Sequence, residues 1–161
     1  MARTLGRIVL AVFVALGAVG TVFVLGMRAK SPAVLDAVRR TGRSMRPLAL
    51  RTAGGTGSPT SVVRHVGRSS GREYDTPVGA VATDDGFVIA LPYGTNTDWL
   101  RNVLAQGSAT IVHDGAEHAV HSPRVVPLMR VGGHFSATDQ RMHRIFGVEE
   151  CLQVRRVPEA P

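Results

Sequence analysis

The strongest constraint on this chain is a long apolar run near its start. Residues 8–27 read IVLAVFVALGAVGTVFVLGM, and Thr21 is their one polar side chain. As a helix, these 20 residues span about 30 Å, the thickness of a bilayer's hydrocarbon core. A secretory signal peptide has a shorter apolar core and a small-residue cleavage site, which residues 27–30 do not supply. We therefore predict a retained transmembrane anchor over residues 1–30.

The basic residues beside this run predict its orientation. Arg3 and Arg7 precede it, whereas six basic residues follow within twenty positions: Arg28, Lys30, Arg39, Arg40, Arg43 and Arg46. Basic flanks stay on the cytoplasmic side, so the rest of the chain is predicted to be cytoplasmic and membrane-anchored. A single cysteine, Cys151, fits a reducing compartment and is expected to pack as a small apolar residue.

Residues 31–58 are predicted to form a basic juxtamembrane helix and a linker. Ser31 and Pro32 are typical of the N-cap and first turn of a helix, and Val34, Leu35 and Val38 give it an apolar face. Two interpretations stay open and are compatible. In the first, the basic residues bind anionic lipid head groups, with a favourable free energy of about 1 kcal/mol for each residue near the surface. In the second, the segment is a solvated linker whose charges follow the positive-inside rule.

Residues 59–161 read as one mainly β domain with helical decoration. Asp-Gly hairpin signals at 85–86 and 114–115 separate strands without βαβ alternation, which favours an antiparallel barrel or sandwich over a Rossmann fold. Residues 54–57 match no nucleotide-binding loop. The predicted strands cover 61–66, 74–83, 87–91, 109–113, 116–126 and 152–157, and the predicted helices cover 96–106 and 137–146.

Two adjacent segments carry side chains suited to ligand binding. In the turn at 67–72, guanidinium forks, hydroxyls and backbone N–H groups would converge on an anion, and these residues are Arg68, Ser69, Ser70 and Arg72. The strand that follows has a proline, which places it at an edge and frees backbone groups for a ligand. Its candidate residues are Tyr74, Asp75, Thr76, Pro77 and Val78.

Two further segments follow the next strand. Proline and glycine around a tyrosine give a backbone that a flat ligand can approach, at Leu91, Pro92, Tyr93 and Gly94. The next helix begins with Asp98, Trp99 and Asn102, and its apolar periodicity favours a core position for Trp99 over a ligand platform.

In this order the four segments resemble the deazaflavin-dependent nitroreductase family. The pattern is Gly-Arg-x-Ser-Gly, then Thr-Pro-Val, then an apolar strand, then Tyr-Gly-x-x-x-Asp-Trp-x-x-Asn, over roughly residues 61–126. The phrase at 144–148 together with Leu152 is similar to one subgroup. The resemblance implies a split β-barrel, FMN-binding-like in fold, that binds coenzyme F420 and transfers a hydride between it and an organic acceptor such as a quinone or nitro compound.

The resemblance also implies residue roles. Arg68, Ser69 and Ser70 would hold the cofactor's phosphate and acidic tail, the strand around Pro77 would line the ring, and the segments at 91–94 and 98–102 would close the pocket. Family members carry charged residues where Ser69 and Gly94 stand. The loss of these two charges would weaken anion binding unless Arg72 or Arg64 takes their place. No catalytic residue is assigned.

Other functions stay open beside this one. The barrel could bind a fatty acid or haem without chemistry, or use FMN. His118 and His121 lie three apart in a predicted strand, so they point to opposite faces, while His113 could pair with His118; no metal site is predicted. The expected partners are a small-molecule substrate, the membrane and, from the family, a second copy of the chain. Nucleic acid is not expected, because the few aromatic residues do not interleave with the arginines.

Overall fold

A computed structural model describes residues 16–158 of the chain. The helices are α1 (Leu16–Arg28), α2 (Pro32–Ala49), α3 (Asp98–Gln106), α4 (Leu128–Val131) and α5 (Ala137–Phe146), with a 3₁₀ turn at Gly132–His134. The strands are β1 (Ser61–Val66), β2 (Glu73–Val78), β3 (Ala80–Ala82), β4 (Gly86–Ala90), β5 (Ser108–His113), β6 (Ala116–Pro127) and β7 (Glu150–Arg156). The predicted mainly β class with helical decoration is confirmed.

All seven strands form one antiparallel sheet in the order β2-β1-β5-β6-β7-β4-β3. The predicted hairpins are present, β3 with β4 and β5 with β6. In the second hairpin Asp114 and Gly115 have φ of 50° and 81°, the left-handed pair that a two-residue turn requires. Gly107 closes α3 in the left-handed conformation.

The second predicted strand is not continuous, and its break closes the sheet. Residues 74–83 divide at Gly79 into β2, which pairs with β1, and β3, which pairs with β4. These two strands are opposite edges of a seven-stranded sheet, about 29 Å apart if it were flat. Val78 and Ala80 flank a single residue, so their Cα atoms lie within about 7 Å. The sheet must therefore roll into a barrel whose seam is at Gly79.

The core fills both faces of the central strands. Inside the barrel, Phe87, Ile111 and Leu152 pack with Leu100 and Val103 of α3. On the outer face, Val88 and Cys151 pack with Val131 and Phe135. Because neighbours on β4 face opposite ways and are both buried, the prediction of a buried apolar strand there is confirmed. Cys151 is fully buried, and this burial raises its pKa to about 11.

The N-terminal helices meet at a sharp corner and pack on the barrel. Within residues 16–158, no single helix is both long enough and apolar enough to cross a bilayer. Only α1 and α2 taken together, with a bend of 101° between them, have the necessary length and composition. The predicted span begins at residue 8, outside the described residues, so the anchor stays a prediction. Arg28 donates to the carbonyl of Arg144 on α5, and Lys30 donates to the carbonyl of Pro92 at 3.0 Å.

The predicted start of α2 is correct, although its capping differs. The helix begins at Pro32 as expected, but the side chain of Ser31 makes no capping hydrogen bond. Leu35 is buried, and a Cβ at Gly26 would overlap the side chain of Val34, so α1 and α2 pack closely at their corner. Arg46 donates to the backbone carbonyl of Asp75 on β2, which fixes the other end of α2 to the sheet edge.

Candidate functional site

A cavity of about 920 Å³ opens at the barrel seam. Its walls come from α2, the turn between β1 and β2, the strand β2, the end of β4 and the beginning of α3. This size is within the range of small-molecule and cofactor sites. All but two of the predicted site residues line it, namely Arg68, Ser69, Ser70, Tyr74, Thr76, Pro77, Val78, Leu91, Pro92, Tyr93, Gly94, Asp98, Trp99 and Asn102.

Arg72 and Asp75 are the two predicted residues that do not line the cavity. The carboxylate of Asp75 pairs with Arg64 at 3.2 Å, and Arg64 also pairs with Glu117 at 3.0 Å. These two partners, Glu117 first, raise the pKa of Arg64. Neither Arg64 nor Arg72 lines the cavity, so neither replaces there the charges that are missing at Ser69 and Gly94.

Arg68 lines the cavity, but its guanidinium is already engaged. It donates to Asn102 Oδ1 at 2.8 Å and to Asp98 Oδ1 at 3.1 Å, both on α3. Its backbone N–H donates to the same Asn102 oxygen at 3.2 Å. Arg68 therefore joins the turn to the beginning of α3 and shapes this rim of the cavity.

A buried polar network continues inward from Arg68. Asn102 and His65 are both buried, and Asn102 Nδ2 lies 3.3 Å from His65 Nδ1. Since Arg68 can only donate, Asn102 presents its oxygen to Arg68 and its NH₂ to His65. Nδ1 of His65 must then accept, and Nε2 carries the hydrogen that it donates to Thr76 Oγ1 at 3.1 Å.

This network holds His65 in its neutral form. Burial lowers the pKa of His65, and the positive charge of Arg46 lowers it further, against a smaller opposing effect of Asp75. The ring also stacks on Tyr74 with centroids 5.9 Å apart. The sequence did not single out His65, although its place in a strand two residues before the turn, on the same side as Val63, could have indicated an inward side chain.

The lining of the cavity is largely apolar. Pro77, Val78, Ile89 and Leu91 contribute to it, and Tyr93 lines the cavity while remaining partly exposed to solvent. Trp99 packs against the barrel core, as its periodicity predicts, and it also lines the cavity. Thr97 also lines this region, and its buried Oγ1 has no hydrogen-bond partner within residues 16–158.

Helix α2 forms a wall that the sequence analysis did not predict. Four positions of one helical stripe, together with Asp36, line the cavity: Arg39, Gly42, Arg43 and Arg46. Their spacing of three and four residues marks a single helix face. The sequence shows this spacing but does not show which residues the face contacts, because the other walls of the cavity come from segments that begin 19 positions after Arg46, at His65.

The histidines do not form a metal centre in the described part of the chain. No group of three or more His, Cys, Asp or Glu side chains within residues 16–158 could hold a metal ion. His113 pairs in register with Ala116 and His118 with Ile111, so the suggested direct pairing of the two histidines is wrong. Their rings instead pack on Phe87, with centroids 5.4 and 5.3 Å from its ring.

No family model matches this chain, and no curated protein matches it. Similar solved structures include an F420 reductase, with 10% identity over 62% of this chain and 86% of that one (TM-score 0.43). Another is a domain-swapped dimer, with 15% identity over 73% and 96% (TM-score 0.47). A third is HutZ, a haem storage protein from Vibrio cholerae, with 12% identity over 74% and 90% (TM-score 0.44). At these values the similarities assign neither a family nor a ligand to this chain.

Proposed function

We propose that this protein is an F420-dependent oxidoreductase that transfers a hydride between the reduced deazaflavin and an organic acceptor such as a quinone or nitro compound. One observation carries the proposal. The segments whose order resembles the deazaflavin-dependent nitroreductases belong to different elements, namely β2, the loop after β4 and α3, yet they line one cavity. Nothing in their individual sequences requires this convergence.

The cavity has the chemistry that F420 needs. The apolar part of its lining, with Pro77, Leu91 and Trp99, suits a flat ring system, and the arginines in the same lining suit a phosphate and carboxylates. When bound, the cofactor supplies the hydride, while the protein orients the ring and shields it from water. The hydroxyl of Thr97, which has no partner among residues 16–158, is a group that a ligand could satisfy after a side-chain rotation.

A titration of the full chain in detergent tests this proposal. Trp99 is the single tryptophan, so its fluorescence reports on the cavity alone. We expect saturable quenching by F420 and none by FMN at the same concentration. Arg68→Ala should weaken binding by about tenfold or more, because it removes the hydrogen bonds that hold the beginning of α3 at the edge of the cavity. Arg72→Ala is the matched control in the same turn and should leave the affinity unchanged, because Arg72 does not line the cavity.

Hydride transfer is then measured by mixing protein, reduced F420 and a soluble quinone, and following the return of the oxidised deazaflavin's absorbance. We expect turnover that depends on the protein and is diminished by Arg68→Ala. Failure of F420 to bind, or quenching by FMN alone, would contradict the proposal.

A second candidate function is a non-catalytic binder of a fatty acid or haem. It is favoured by the fact that the cavity's acids and histidine are already paired within the described residues: Asp36 with Arg39, Asp98 with Arg68, and His65 through both ring nitrogens. His65 consequently offers haem iron no free nitrogen, so within this alternative the pairing favours a fatty acid over haem. Lipid or haem that copurifies with the chain, without a response to F420, would support this alternative.

A further inference from the structure

We propose that the arginine stripe of α2, defined by Arg39, Arg43 and Arg46, binds the anionic end of the molecule whose flat part occupies the seam cavity. The proposal deepens the function proposed above and rests on it. It assigns a ligand-binding role to the helix that follows the predicted membrane anchor. The ligand chemistry is a chain of carboxylates or phosphates attached to a ring.

The geometry supports this role because the arginine stripe lies on the side of α2 that faces the cavity. Arg39, Arg43 and Arg46 line the same cavity as Pro77 and Trp99, whereas Arg40 does not. Gly42 lies within the stripe and has no heavy atom within 4 Å of where a Cβ would stand. The helix backbone is thus open toward the cavity between the two guanidinium-bearing turns.

The three arginines differ in how far they are already used. Arg46 is fixed to the carbonyl of Asp75 and holds the helix in place. Arg39 pairs with Asp36 at 3.3 Å in an exposed contact of the kind that contributes little and exchanges readily. Within residues 16–158, the guanidinium of Arg43 makes no hydrogen bond or ion pair. Arg43 and Arg39 are therefore the groups available to an anion.

The other arginines near the cavity cannot take this role. Arg68 is bound to Asp98 and Asn102, and Arg64 is bound to Asp75 and Glu117. The turn that the sequence analysis assigned to the anion offers the exposed Ser69 and backbone N–H groups, but no free guanidinium directed into the cavity. Ser69 and Gly94 stand where members of the family carry charged residues. In this chain the arginines of α2 supply the positive charge instead.

The test compares F420 that carries several glutamates with the same cofactor stripped of its glutamates, using Trp99 quenching of the full chain. We expect the glutamylated form to bind the wild-type protein about tenfold more tightly, since each tenfold corresponds to about 1.4 kcal/mol, roughly one charge-assisted hydrogen bond. In Arg39→Gln/Arg43→Gln the difference should fall to about twofold or less. Affinity for the stripped form should not change, which also shows that the variant folds.

The matched control is Arg40→Gln/Arg51→Gln, which removes the same charge from exposed residues of this segment that do not line the cavity. It should keep the full preference for the glutamylated form. An unchanged preference in Arg39→Gln/Arg43→Gln overturns the inference and leaves the proposed function intact. Loss of binding to anionic lipid vesicles in that variant, with cofactor affinity retained, also overturns it, because the stripe would then serve the membrane. If neither cofactor form binds the wild type, the proposed function itself fails.

Discussion

The two walls of the cavity are built in different ways. The sheet wall, made of β2, the turn at 67–72 and α3, is held by a buried network that runs from Arg68 through Asn102 and His65 to Thr76. The helix wall, made of α2, presents the exposed Arg43 and the half-buried Arg39, and Arg46 fixes it to the sheet edge at β2. A fixed surface suits a rigid ring, and an adaptable charged surface suits a flexible anionic chain.

The largest expected effect comes from a substitution in the barrel itself. At Gly86 a Cβ would overlap the carbonyl oxygen of Val154, which is backbone and cannot turn away. Gly86→Ala should therefore lower the free energy of unfolding by about 3 kcal/mol or prevent folding. Denaturant titration measures this change. Gly133→Ala, which meets no atom within 4 Å, is the control, and an equal loss in both variants would contradict the explanation.

Asn102→Ala should break the sheet wall while the helix wall stays intact. The substitution leaves Nδ1 of the buried His65 without its partner and removes one of the two α3 side chains that hold the Arg68 guanidinium, which should cost about 2 kcal/mol of unfolding free energy. Quenching by F420 should weaken in parallel. Gln106→Ala, at an exposed position of the same helix, should leave both unchanged; if Asn102→Ala behaves like this control, the network does not support the wall.

Acidification should weaken the sheet wall through His65. Its folded-state pKa lies below the ordinary value of 6.5 because of burial and Arg46, so the unfolded chain binds the proton first. The free energy of unfolding should be at its full value above about pH 6.5 and fall as the pH drops below it, by at most about 1.4 kcal/mol per pH unit. In His65→Gln this contribution to the slope should vanish. Identical slopes between pH 7 and 5 would show that His65 does not titrate differently on folding.

The smallest effect concerns the helix wall. Gly42 lies inside α2 with open space around it, so Gly42→Ala should raise helix stability by about 0.5–1 kcal/mol. The same substitution thus has opposite signs in the two parts of the molecule. Denaturant titration of Gly42→Ala beside Gly86→Ala measures the contrast, and a clear loss of stability at Gly42 would mean that α2 packs more tightly than the structure shows.

Local signals predicted local structure well. The predicted bounds of β1 and α5 were correct, because they depend on residues next to one another in the sequence. Apolar residues mark β1, and Gly147 ends α5 in the left-handed conformation. The break at Gly79 was missed, since a glycine between apolar residues does not reveal that its two sides pair with opposite edges. Most candidate site residues came together in the cavity, but the contribution of α2 depends on a contact between distant segments. The spacing of its arginines indicates one face of the helix, but it does not indicate which part of the barrel that face contacts.

The seam at Gly79 also bears on how the folded protein behaves in a crowded solution. Open sheets expose unpaired backbone groups along two sides, and these invite other chains to add strands. Here one side is β2, where Pro77 has no N–H to offer and the Asp75 carbonyl is occupied by Arg46. The other side is β3, which spans only Ala80–Ala82. The same bent segment that creates a binding cavity therefore leaves little backbone on which aggregation could begin.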